Sequence, residues 1–136
     1  MAQPAKPASP LKLEEQRITK AVRAFLVNRG WRAIRFQRFV APGSFQTGEP
    51  GIPDYLFVRY FRSPHGAALA MWIEMKAPMG RFQPGQQEWH QRETQLGASV
   101  WVVDDVGWFA EEYERIFGWL HSGPAASGQL DLLAGL

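Results

Sequence analysis

Cysteine is absent from the 136 residues, which excludes a disulfide framework and a thiolate zinc site and suits a reducing compartment. Histidine is scarce: His65, His90 and His121 show no His-x-x-x-His spacing, so a metal centre built on imidazoles is not expected. No apolar run approaches the length of a membrane span, and the start, Met1 to Pro10, lacks the apolar stretch of a secretion signal. The expectation is a soluble cytoplasmic protein with no membrane partner. An excess of charge of one sign is also missing. Fifteen Lys and Arg against 13 Asp and Glu leave +2, so a polyanionic partner has to be met by local positive charge.

The length suits one domain with a real core, and six Trp and nine Phe can fill it. Residues 1–10 carry three prolines among small residues and read as a disordered lead-in. Residues 11–121 form the expected domain. Residues 122–136 are a Gly, Pro, Ala and Ser rich tail closing on Leu130, Leu132, Leu133 and Leu136, an apolar end expected to dock on its own domain or on a second copy.

Within the domain, Ile18, Ala21, Val22, Phe25 and Leu26 fall at spacings of three and four and predict a helix from Leu13 to Arg29, stopped by Gly30. Glu14 and Glu15 fall in its first turn, where the helix dipole favours a carboxylate. Trp31 to Val40 reads as a strand, and Arg32, Arg35 and Arg38 make it the most basic stretch of the chain. Those arginines suit either an edge strand protected by charge or a groove that tracks phosphates. Ala41 to Pro50 predicts a loop able to close over a substrate, with Glu49 in it solvated. Pro84 opens a predicted helix running to Leu96 before Gly97, with Trp89 in the core. Ser99 to Val103 is a short strand, and Asp104 and Asp105 cap the helix after it. Phe109, Tyr113, Ile116, Phe117 and Leu120 mark the inner face of that last helix.

The stretch that organises the rest runs from Gly51 to Lys76. Tyr55 to Phe61 and Ala68 to Lys76 are rich in aromatic and branched residues around a loop-like Arg62 to Ala67, which predicts an antiparallel hairpin. Side chains alternate along a strand, so Glu74 and Lys76 share one face and Met75 points to the other. A register that sets Asp54 against Glu74 or Lys76 gathers two carboxylates and an ammonium into one patch; a register that sets it against Met75 breaks the patch. Two adjacent carboxylates are stable together chiefly around a cation, and oxygen ligands left partly open suit Mg²⁺ or Mn²⁺. Lys76 would then stabilise a developing phosphorane or orient a water, an arrangement suited to phosphodiester hydrolysis. Asp54 after Pro53 is also what an ordinary turn uses, and Glu74 with Lys76 is also a common solvated pair on a strand.

Gly51-Ile52-Pro53-Asp54, then Glu74-Met75-Lys76-Ala77-Pro78, then Gly80 and Gln86, with an acidic residue at the head of the first helix, resemble the virus-type replication-repair nucleases (VRR-NUC), a branch of the PD-(D/E)XK nuclease superfamily. The resemblance covers roughly Glu14 to Val103. It implies a restriction-endonuclease-like α/β sandwich with a mixed central sheet flanked by helices. It also implies metal ligation by Asp54, Glu74 and the Met75 carbonyl, a catalytic Lys76, and support from Gln86. Glu15 is preferred over Glu14 as the helical acid, because the family places that acid three residues before an aliphatic one, here Ile18. Gln83 stands where the family has a Ser or Thr cap, and Gly85 where a longer side chain is common. Arg81 falls where it can meet a phosphate. The activity implied is a Mg²⁺- or Mn²⁺-dependent DNA endonuclease, acting as a homodimer on branched DNA such as four-way junctions, in a bacterial or phage-infected cell. A nucleic-acid-binding module with the same fold and no cleavage is the alternative.

Overall fold

In the computed structural model, residues 4–36 and 49–122 are described. The expected loop over 41–50, apart from its last two residues, lies outside them, as do Arg38 and the tail from 123 onward. The element order is α1 (Pro10–Val27), β1 (Arg32–Arg35), β2 (Tyr55–Phe61), β3 (Ala67–Met75), α2 (Gln86–Gln95), β4 (Val100–Val103) and α3 (Val106–Phe117), with a 3₁₀ turn over Gly118–His121. Among the described residues the strands form one four-stranded sheet in the order β1-β2-β3-β4. β1–β2 and β2–β3 are antiparallel, and β3–β4 is parallel through the α2 crossover. The chain is therefore α/β, with a mixed sheet flanked by helices.

Alternation along the strands divides the side chains between two layers. Phe57, Met71, Ile73, Met75, Trp101 and Val103 face a core closed by Ile18, Val22 and Leu26 of α1 and by Phe109, Tyr113 and Phe117 of α3. Those α1 residues stand four apart and form one buried stripe along the helix. Phe25 bridges the two helices, edge-on to Phe109 and Tyr113 at 5.5 and 5.2 Å between ring centroids. On the opposite face of the sheet, Trp72 stacks on Phe36 at 5.5 Å and meets Trp89 of α2 edge-on at 5.1 Å.

Several boundaries differ from expectation for physical reasons. α1 begins at Pro10 rather than Leu13, because Ser9 caps it by accepting from the Lys12 N–H and proline suits the first helical position. Glu14 and Glu15 consequently lie in the second turn, so capping does not account for them. α2 begins at Gln86 with Gly85 as its cap, leaving Pro84 ahead of the helix. Ile116, expected in the inner face of α3, is 38% exposed: Phe109, Tyr113 and Phe117 occupy the buried stripe at spacings of four, and Ile116 falls beside it. Asp105 is the cap of α3, accepting from the Trp108 N–H at 2.8 Å.

Candidate active site at the end of the β2–β3 hairpin

The hairpin register decides whether the charged groups meet. Tyr55 pairs with Ile73 and Phe61 with Ala67, so one further step sets Asp54 opposite Glu74. This is the register that gathers the patch rather than the one that pairs Asp54 with Met75. Asp54 lies just before β2, and its carbonyl accepts from the Phe36 N–H at 2.8 Å, which anchors it to the end of β1 as well. Glu74 and Lys76 project on the same side, and the Met75 side chain is buried in the core on the other. Only the main chain of Met75 is therefore left to face the site. The Lys76 N–H donates to the Val103 carbonyl at 2.9 Å, extending the parallel ladder through the catalytic candidate.

Glu74 is 2% exposed and Lys76 is 8% exposed, and the Lys76 Nζ stands 3.5 Å from Glu74 Oε1. Withdrawing such a pair from water costs several kcal/mol per ion before their attraction is counted, and a well-packed apolar pair is often as stable. Retaining charge at this depth is thus poorly explained by stability alone. Both residues open onto a cavity of about 820 Å³, shared with Asp54, Glu15 and Gln86. It lies at the carboxyl end of β3, and the carboxyl ends of strands are where open α/β sheets bind ligands.

The surrounding elements are held to the hairpin by close contacts. Gly51 and Pro53 are buried, and Gly51 adopts φ +83° with its α-carbon against the start of α2. A β-carbon there would stand 2.2 Å from the Gly85 carbonyl oxygen. Glu49, expected to be solvated, is half exposed and ion-paired with Arg92 of α2, a second tie between the segment before Asp54 and that helix. Gln86 is 1% exposed, and its Oε1 accepts from the Gln83 N–H at 2.6 Å, so the side chain secures the turn that leads into α2. Gln87 is exposed, which places Gln86 and not its neighbour in the cavity wall.

The two helical acids separate cleanly. Glu14 turns to the surface and pairs with Arg17, whose guanidinium holds its carboxyl below the ordinary carboxylate range. Glu15 lines the cavity. Even so, no group of three or more acidic or imidazole side chains among the described residues is gathered tightly enough to hold a metal by itself. A cation placed here would have Asp54 and Glu74, with the Met75 main chain, as its available oxygen donors. One or two carboxylates completed by waters is the set that Mg²⁺ accepts.

The basic residues do not act as a block. Arg35 and Arg81 line the cavity. Arg32 falls on the other face of β1 and donates to the Tyr60 hydroxyl at 3.1 Å, which removes it from the site. Ser9, in the expected lead-in, and Lys12, one residue ahead of the expected helix, also line the cavity. The Ser-Pro pair at a helix cap was the available signal for that earlier start. Phe82 and His90 were likewise not foreseen: Phe82 has its ring 5.9 Å from the Lys76 ammonium and 5.5 Å from the His90 ring. Burial, and then the Lys76 charge, hold His90 below the ordinary imidazole range. The described cavity wall thus carries Lys12, Arg35, Lys76 and Arg81 against Glu15, Asp54 and Glu74, a balance suited to an anion bridged by a cation. Compared with protein-family models and with curated proteins, the chain matches none.

Proposed function

We propose that this chain is a metal-dependent DNA endonuclease with a restriction-endonuclease-like form of the α/β fold, cutting branched DNA such as four-way junctions as a cytoplasmic homodimer. The observation that carries the reading is the hairpin register: it sets Asp54 opposite Glu74 and leaves the Lys76 ammonium 3.5 Å from Glu74 in one cavity. The resemblance of Gly51-Ile52-Pro53-Asp54 and Glu74-Met75-Lys76 to the VRR-NUC pattern adds the substrate class and the dimer. Two sites related by a two-fold axis suit a junction with paired scissile phosphates.

Bound Mg²⁺ or Mn²⁺ would supply Lewis acidity at the phosphate and a water of lowered pKa. Asp54 and Glu74 would hold the ion, with the Met75 carbonyl as a third oxygen. Lys76, nearly withdrawn from solvent, places positive charge where the pentavalent phosphorus accumulates negative charge, and the low local dielectric strengthens that interaction. Arg35 and Arg81 meet phosphate oxygens at the cavity wall. Gln86 keeps the β3–α2 turn in place, and Glu15, on the cavity wall, would accept a proton or a hydrogen bond from a water.

The test is incubation with junction, flap and linear DNA in Mg²⁺, Mn²⁺ or EDTA, comparing the native protein with Asp54→Ala and Lys76→Ala. Cutting that needs the metal and falls by about 10²- to 10³-fold on loss of Lys76 is expected. Cutting that survives both substitutions overturns the assignment. Binding without any cut in either metal identifies a silent nucleic-acid-binding module instead, and equal cutting of junction and linear DNA removes the preference for branches.

A further inference from the structure

A second concavity, of about 600 Å³, continues from the candidate site along the crevice between α1 and β1. It shares Lys12, Glu15, Arg35 and Asp54 with that site and extends past Lys20 and Arg23. Lys12, Gln16, Lys20 and Arg23 recur at spacings of four, four and three, so they form one stripe beside the buried stripe of Ile18, Val22 and Leu26. The groove therefore carries both signs of charge at the end that meets the hairpin, and only cations among its charged groups along the rest.

The cations of this groove differ from several others on the surface. Arg17, Arg29, Arg92 and Arg115 are each engaged by a carboxylate. Lys12, Lys20, Arg23 and Arg35 form no ion pair among the described residues. Like charges converging on one concave wall raise its potential and need a counter-charge from outside. From Lys12 to Arg23 the helix rises about 16 Å, the axial length of roughly five successive phosphates on one strand.

We infer that the α1–β1 groove carries the sugar-phosphate backbone of a DNA arm as it leaves the scissile position, with Lys20 and Arg23 as its outer phosphate contacts and Lys12 and Arg35 as the inner ones. This rests on the nuclease reading for its direction, since the end that holds Asp54 marks where the bridged phosphate would sit. Contacts to phosphate alone fix the register of the arm and read no sequence.

The experiment measures binding separately from cutting. Affinity for a fluorescent 20-base-pair duplex and for a four-way junction is followed by anisotropy in EDTA over a range of salt, for the native chain, Lys20→Ala/Arg23→Ala, Arg17→Ala and Arg115→Ala. Loss of two phosphate contacts lowers the slope of log affinity against log salt by about 1.8 and weakens binding roughly 10- to 60-fold near 0.1 M salt. Arg17→Ala lies on the same helix but outside the groove, and it and Arg115→Ala leave the slope unchanged. Circular dichroism of the double variant shows that the exposed substitutions leave the fold intact. A slope unaltered by Lys20→Ala/Arg23→Ala, or lowered equally by Arg17→Ala, overturns the groove, and metal-dependent cutting in that case leaves the nuclease reading standing. The predicted slope change in a protein that cuts no DNA with either metal leaves the groove standing and removes the nuclease. No binding of either DNA by the native chain overturns the groove.

Discussion

Replacing Gly51 by alanine tests whether the segment before Asp54 is held by contact with the start of α2. Two effects add. An L-residue in the left-handed region, here φ +83°, costs about 1–2 kcal/mol. The new β-carbon would also stand 2.2 Å from the Gly85 carbonyl oxygen and 2.6 Å from its carbon. Both atoms are backbone, so no side chain can swing aside, and the two segments must part by roughly 1 Å, an overpacking effect of about 1–3 kcal/mol. The sum, about 2–5 kcal/mol, lowers the melting temperature by roughly 8–20 °C for a domain of this size. Gly97→Ala is the internal standard: its φ is +97°, yet nothing lies within 4 Å of an added β-carbon. It carries the conformational part alone, a fall of roughly 4–8 °C. The difference in melting temperature between the two variants, read by differential scanning calorimetry, isolates the close approach. Equal falls, or a Gly51→Ala fall below about 3 °C, refute the reasoning. Because Gly51 lies three residues before Asp54 and touches the residue that precedes Gln86, a parting of this size should also reduce any DNA cutting by up to about 100-fold.

The same geometry sets four other expectations. Tyr113→Phe removes a buried hydroxyl that accepts from the Trp31 indole N–H and bonds to His121 Nε2, both at 2.7 Å; the indole is left without its partner, a loss of about 1–3 kcal/mol in urea unfolding. His90 and His121 have their pKa values lowered from 6.5, chiefly by burial and then by Lys76 and by Arg59 respectively. The unfolded chain therefore takes up protons first, so their contribution is full above about pH 6.5 and is lost as the pH falls through the folded values. The urea midpoint should drop between pH 7 and pH 5, and the double variant His90→Gln/His121→Gln should flatten that drop. Met79 is 94% exposed at φ +65°, so Met79→Gly relieves strain without losing contacts and should raise stability by about 1 kcal/mol; an unchanged or lower melting temperature speaks against it. Mn²⁺ at 100 times its dissociation constant should stabilise the native chain by about 2.7 kcal/mol, and Asp54→Asn should abolish the rise in melting temperature. A rise that Asp54→Asn leaves intact places the ion elsewhere.

Local chemistry made much of this molecule readable in advance. Tyr55 to Phe61 is a strand over its whole expected length, because aromatic and branched residues favour extended backbone whatever surrounds them. The four-residue recurrence of Ile18, Val22 and Leu26 and of Phe109, Tyr113 and Phe117 marks helices because it matches the helical period. Asp105 was legible as a cap, and Glu74 and Lys76 as neighbours on one strand face. What the letters left open was every relation between segments distant in the chain. Whether Asp54 meets Glu74 or Met75 depends on a single-residue choice of register, made by the length of the 62–66 turn and by which face of β2 the core demands. Glu14 and Glu15 are the same residue type and only the resemblance favoured Glu15; a rotation of about 100° around the helix turns one toward Arg17 and the other into the cavity. Arg32 and Arg35 likewise look alike until the pleat and the edge position of β1 send them to opposite sides. Periodicity is a property of neighbours along the chain and survives in the sequence, whereas register, helix rotation and the approach of Gly51 to Gly85 are set by what fills the space between elements, and only the folded molecule contains that information.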